Sequence, residues 1–118
     1  MKIALTTNGP TLDGEIAVRF GRGTYLLIVD HETLSYRAAP NLYMTLRGEV
    51  QPALAQSLAR QNVTLALAGY WAPLDIKTMQ SLGISVRHTP RYSARQVLAD
   101  LQAHAVRTPD LGTVVKAS

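Results

Sequence analysis

Apolar residues cluster in short blocks separated by turn-forming residues, and the block lengths alternate between strand and helix size. Lys2–Thr7 alternates weakly and ends at Asn8-Gly9-Pro10, which predicts a short first strand closed by a turn. A polar, glycine-bearing stretch, Thr11–Gly23, follows. Thr24–Asp30 is a continuous β-branched and aromatic run, the pattern of a strand covered on both faces. After His31-Glu32-Thr33, Leu34–Ala38 is expected to pair back as a hairpin, with Pro40-Asn41 closing the unit.

The second half reads differently. A helix is expected over about Glu49–Gln61, with Pro52 in its first turn and Leu54 and Leu58 on one narrow stripe. Asn62 is placed to stop it in a left-handed conformation. Val63–Ala68 reads as a buried strand ended by Gly69, Pro73–Leu82 as a second helix stopped by Gly83, and Ile84–Arg87 as a short strand. Ser93-Ala94-Arg95-Gln96 has the spacing of a capping box opening a third helix, whose inner face is Val97, Leu98 and Leu101. The helical signal fades after about Ala105, so residues 1–105 are read as one domain and 106–118 as a tail.

A strand meander followed by βα units needs antiparallel pairing first and parallel crossovers afterwards. The economical packing is an α/β fold, a five-stranded mixed sheet with helices on both faces. Composition supports this: hydrophobic residues are 47% of 118 and charged residues 17%, enough apolar side chain for a core. No stretch approaches eighteen consecutive apolar residues, and the start turns polar too early for a signal peptide. The expectation is a soluble, cytoplasmic protein.

Charge and cysteine usage narrow the chemistry. The net charge of +4 comes entirely from residues 60–118, and nine of the twelve cations are arginine, a side chain suited to multi-donor contact with anions. No Lys/Arg run and no interleaved aromatic stripe accompany it, which argues against a nucleic-acid surface. With zero cysteines, disulfides, thiolate zinc sites, a cysteine nucleophile and clusters held by the chain's own thiolates are excluded. Gly21-Arg22-Gly23 begins like a dinucleotide loop, but a strand follows where a helix is required. There is no phosphate-binding Gly-Lys loop, no Gly-x-Ser-x-Gly and no His-Glu-x-x-His.

What remains is an anion pocket beyond the carboxyl ends of the strands, where loops meet helix N-termini. Asn8-Gly9-Pro10, Gly69–Pro73 and His88–Ser93 occupy such positions. Arg19 and Arg22 lie on the loop entering the second strand, and Arg91 and Arg95 flank the third helix. The structural reading of the same residues is that the glycines permit tight turns and Trp71 covers the edge of the core.

Met1-Lys2-Ile-Ala-Leu-Thr-Thr-Asn-Gly9, Leu12-Asp13 and Arg19-Phe20-Gly21-Arg22 just ahead of Tyr25–Asp30 resemble the opening of the dinitrogenase iron–molybdenum cofactor-binding family. Gln51–Gln61, Leu65–Gly69 with Pro73, and Leu82–Val86 extend the resemblance over about residues 1–104. It implies a three-layer α/β/α, ribonuclease-H-like fold. It also implies non-catalytic binding or carriage of an iron–sulfur or iron–molybdenum cluster, or its precursor, in the setting of nitrogenase-type assembly proteins. The fold name raises the possibility of a nuclease, but Lys2–Thr7 lacks the carboxylate that two-metal hydrolysis needs on its first strand.

Carried onto this chain, the resemblance places cofactor contacts at Asn8, Arg19, Phe20, Gly21, Arg22, Gly69, Tyr70, Trp71, Arg91 and Arg95. Lacking cysteine, a protein ligand would be His88 or, less usually, Met44. Two departures stand out. Met44–Glu49 holds one glycine where the family often has a glycine-rich run, and Tyr70-Trp71 puts two large rings beside the expected pocket. A member that binds a small anion, or works through protein contacts, is the alternative.

Overall fold

A computed structural model describes residues 1–45, 49–90 and 92–107, with side chains described as far as residue 103. Five strands, β1 (Lys2–Thr7), β2 (Tyr25–Asp30), β3 (Tyr36–Pro40), β4 (Val63–Ala68) and β5 (Ser85–His88), form one sheet in the order β3-β2-β1-β4-β5. β1 pairs antiparallel with β2 and β2 with β3, while β4 runs parallel to β1 and β5 parallel to β4. The helices are α1 (Pro52–Arg60), α2 (Pro73–Gln80) and α3 (Ala94–Arg107).

The apolar residues sort onto two faces as the strand period requires. Ala4, Ile28, Ala66 and Ala68 join Leu54, Leu58 and Met79 under α1 and α2. Ile3, Leu5, Leu27, Val29, Leu65 and Leu67 face Val97 and Leu98 of α3. The three-layer α/β/α, ribonuclease-H-like architecture expected from the sequence is therefore present. No helix among the described residues is long and apolar enough to cross a membrane.

Several boundaries differ, β5 for instance lying one residue beyond the expected Ile84–Arg87, and three of the differences have a local reason. β3 begins at Tyr36 rather than Leu34, because Asp30 Oδ1 accepts the Glu32 and Thr33 amides at 2.9 and 3.2 Å and Leu34 turns left-handed at φ 61°. α1 begins at Pro52 rather than Glu49: the Val50 N–H is drawn instead to Asp75 Oδ1 at 3.1 Å. α2 stops at Gln80, two residues short of Leu82. Beyond it Gly83, at φ 80°, lets the Ile84 amide reach back to Met79 O at 3.1 Å. Asn62 adopts the expected left-handed stop, φ 66°. α3 runs two residues past Ala105, and the rest of the expected tail, 108–118, lies outside the described residues.

Candidate functional site

The carboxyl ends of β1, β3, β4 and β5 lie at the same end of the sheet, where the loops carrying the arginines gather. The long segment between β1 and β2 does not leave the crevice there open. Leu12 and Ile16 pack into the α3 face, whereas Phe20 packs into the opposite face, so the chain crosses the sheet end between them. Ala17 donates to Thr6 O at 2.9 Å; the Gly69 and Tyr70 amides donate to Ala17 O and Val18 O at 3.3 and 2.7 Å. The segment is a strap bonded to the ends of β1 and β4.

Two glycines exist for this approach. A Cβ on Gly69 would lie 3.3 Å from both Cα and O of Val18. A Cβ on Gly23 would overlap the Thr6 side chain and come within 2.7 Å of the Thr6 carbonyl carbon. Thr6 uses that contact, donating its Oγ1 to Phe20 O at 2.7 Å. Asn8 anchors the foot of the strap, its Oδ1 accepting the Glu15 N–H at 3.0 Å.

The α3 N-terminus offers no free amides, contrary to the expectation of an open helix end. Ala94 and Arg95 donate to Gly14 O and Leu12 O at 3.0 and 2.8 Å, and Val97 donates to Ser93 O at 3.2 Å. Gln96 N donates to Ser93 Oγ at 3.2 Å, the N-cap bond predicted from the capping box. Arg95 is bound outward, its Nε 2.9 Å from Asp13 Oδ1. That hydrogen bond and the carboxylate charge raise the guanidinium pKa above its usual value. Both side chains are exposed, so the pair adds little stability.

Arg19 is held more closely. Its Nη2 lies 3.3 Å from Asp75 Oδ2, and its guanidinium carbon sits 5.7 Å from the centroid of the exposed Tyr70 ring. Asp75 is buried in the first turn of α2, where a carboxylate also suits the helix dipole. Its two oxygens join Arg19 of the strap to the Val50 amide ahead of α1. Arg19 Nε is buried without a hydrogen-bond partner. Arg22 is exposed at the end of a short 3-10 turn, Phe20–Arg22, one turn beyond Arg19.

The other expected residues separate from this cluster. Phe20 and Trp71 are 1% and 3% exposed and stack at 5.3 Å between centroids, and Trp71 Nε1 donates to Arg87 O at 3.0 Å. They build the floor, with Gly21 buried beside them, so of the two rings only Tyr70 projects outward. His88 is exposed at the end of β5, lining a separate groove with Thr89 and α3. Arg91 lies outside the described residues. Met44 is exposed on the loop between β3 and α1.

Sequence reasoning counted Asp75 only as a charge. An acid at the third position of a helix that begins with proline, with no other Asp or Glu between residues 50 and 99, is the signal that could have marked it. Among the described residues no group of three or more His, Cys, Asp or Glu is placed to hold a metal ion.

The model for the dinitrogenase iron–molybdenum cofactor family matches residues 1–104. The chain belongs to that family. Its fold is shared with the apo form of the orange protein from Desulfovibrio gigas, 28% identical, with a TM-score of 0.72 over 87% of this chain and 88% of that one. It is shared also with a NifB-like protein of the DUF35 family from Thermotoga, 22% identical, TM-score 0.70, covering 87% of each chain. No curated protein matches the chain. Of the arginines expected at the site, Arg19 is the one that the structure brings together with Tyr70 and Asp75.

Proposed function

We propose that this chain binds or carries, without catalysing a reaction, an iron–molybdenum-type cofactor or its iron–sulfur or molybdenum–sulfur precursor. The cargo is held in the cytoplasm and passed to nitrogenase-type assembly proteins. Membership of the dinitrogenase cofactor family across residues 1–104 carries this reading. Metal–sulfur clusters of this kind are anionic, and arginine donors suit sulfide and carboxylate acceptors.

The residues present fit an outer-sphere hold and not ligation. The chain has no cysteine, and no three-residue ligand group exists among the described residues. Arg22 and the Arg19–Tyr70 pair form the receiving rim, and Asp75 fixes Arg19 from behind. His88, on the β5 side, is a single imidazole remote in sequence from these groups.

The same absence of ligands favours a second reading, in which the rim receives a small oxyanion or organic carboxylate. A thermal-shift comparison separates the two. Stabilisation by tetrathiomolybdate well beyond that by equimolar phosphate, citrate or molybdate supports cluster cargo. Equal or greater stabilisation by the sulfur-free anions supports the second reading and removes the first.

A further inference from the structure

β3 is open on three sides. All of its residues, Tyr36–Pro40, are exposed, so neither face of the strand is covered by a helix. Its outer edge is open as well. Asp30 N donates to Ser35 O and Asn41 N to Thr24 O at 2.8 and 2.9 Å, so by alternation Arg37 and Ala39 turn their amides and carbonyls inward to β2. Tyr36, Ala38 and Pro40 turn theirs outward. They present two N–H donors and three carbonyls that meet no partner among the described residues. An edge of this kind is a template for another extended chain.

The flanks of the edge set the chemistry of that chain. On the α3 side, where Ala38 pairs with the core residue Leu27, the strand shows the apolar Tyr36, Ala38 and Pro40. On the other side Arg37 reaches the end of α1, its Nη2 2.7 Å from the uncharged Oε1 of Gln61. Arg37 shares a shallow groove of about 200 Å³ with Lys2, which has no hydrogen bond or ion pair among the described residues. Asp30, the acid of that groove, turns Oδ1 to the Glu32 and Thr33 amides, so two cations stand against one engaged carboxylate. In an added antiparallel strand, the residue opposite Arg37 forms a non-hydrogen-bonded pair, where side chains approach most closely. An acid is favoured there.

A second copy of β3 fits this edge poorly. Centred on Ala38, the pair leaves both Tyr36 carbonyls without a donor, because Pro40 has no N–H. The shift that restores those bonds sets Arg37 directly against Arg37 of the copy. We infer that β3 is a docking edge for an extended segment of a partner protein that alternates acidic and apolar residues. Its acids lie beside Arg37 and its apolar side chains beside Tyr36, Ala38 and Pro40. No residue of the arginine rim takes part, so the inference is independent of what the rim carries.

The test is amide exchange, followed by NMR on the full chain, with a blocked five-residue peptide of alternating valine and glutamate and with its valine–lysine counterpart. At about ten times its Kd, the glutamate peptide should slow exchange of the outward Tyr36 and Ala38 amides about tenfold. It should bind about fivefold more tightly than the lysine peptide. Arg37→Glu should reverse that preference. Ala38→Pro, which removes an outward donor and leaves the β2 ladder its bonds, should weaken binding about fivefold with an unchanged circular dichroism spectrum. No saturable protection of Tyr36 and Ala38 at millimolar peptide, equal affinity for the two peptides in the wild-type chain, or protection centred on β5 would each overturn the inference. So would the same protection on concentrating the chain alone, with sedimentation as a dimer, which would place a second copy on the edge.

Discussion

Asp75→Ala should be among the most damaging single truncations of a polar side chain in this protein. The carboxylate is 5% exposed and accepts two hydrogen bonds, from Val50 N at 3.1 Å and from Arg19 Nη2 at 3.3 Å. Alanine leaves the buried Val50 donor unmatched, a cost of about 1–3 kcal/mol. It also removes the counter-charge of a guanidinium that is 31% exposed, where solvent screening limits the further loss to about 1 kcal/mol. About 3 kcal/mol is therefore expected, read as a lowered urea midpoint at unchanged slope. Asp75→Asn keeps an oxygen for Val50 and loses only the charge, so it should cost about 1 kcal/mol. A loss below about 0.5 kcal/mol for Asp75→Ala, within the range of ordinary surface changes, would refute the reasoning. Equal losses for the two variants would refute the assignment of Val50 to the carboxylate.

Gly23→Ala should cost about 3 kcal/mol or prevent folding, since its Cβ would overlap Thr6 of a central strand, whereas Gly9→Ala, with open space around it, should change the urea midpoint little. Gly83→Ala meets no neighbour but must hold φ 80°, so about 1 kcal/mol is expected in the same assay. The single tryptophan, 3% exposed and stacked on Phe20, should emit at short wavelength, and Trp71→Phe should destabilise by about 1–3 kcal/mol through lost volume and the lost Nε1 hydrogen bond to Arg87 O. Asp30 is held below its usual pKa by the Glu32 and then the Thr33 backbone amides. A carboxyl whose folded pKa is depressed stabilises the fold above its unfolded pKa and loses that contribution as pH falls through the folded value. The stability gap between the wild-type chain and Asp30→Ala should thus be full near about pH 6 and close in acid, as followed by urea titration at each pH.

The order of elements was legible because it rests on local signals. β4 matches its apolar run residue for residue, and Asn62 and Gly83 take the left-handed stops their side chains favour. β3 slipped because the Asp30 turn absorbs two more residues than a tight hairpin, a choice made by one carboxylate rather than by hydropathy. The site was less legible. Arg19 and Tyr70 were named from their loops, and they do meet, but the partner that fixes Arg19 is Asp75, 56 positions away. The amides of α3 seemed available by position, yet the strap spends its own carbonyls on them. Such closures depend on where a long loop crosses the sheet, which no periodicity in residues 8–24 records.

The central claim is outer-sphere carriage of a metal–sulfur cargo at the arginine rim. Its most direct measurement is molybdenum and iron retained per chain after anaerobic incubation with tetrathiomolybdate and ferrous iron, followed by desalting at low salt and at about 1 M salt, where the Debye length falls to about 3 Å. The account predicts retained metal with visible absorption at low salt, released at high salt and lost in the Arg19→Gln/Arg22→Gln double variant. No retained metal at low salt, or retention untouched by both the salt and the double variant, would contradict it.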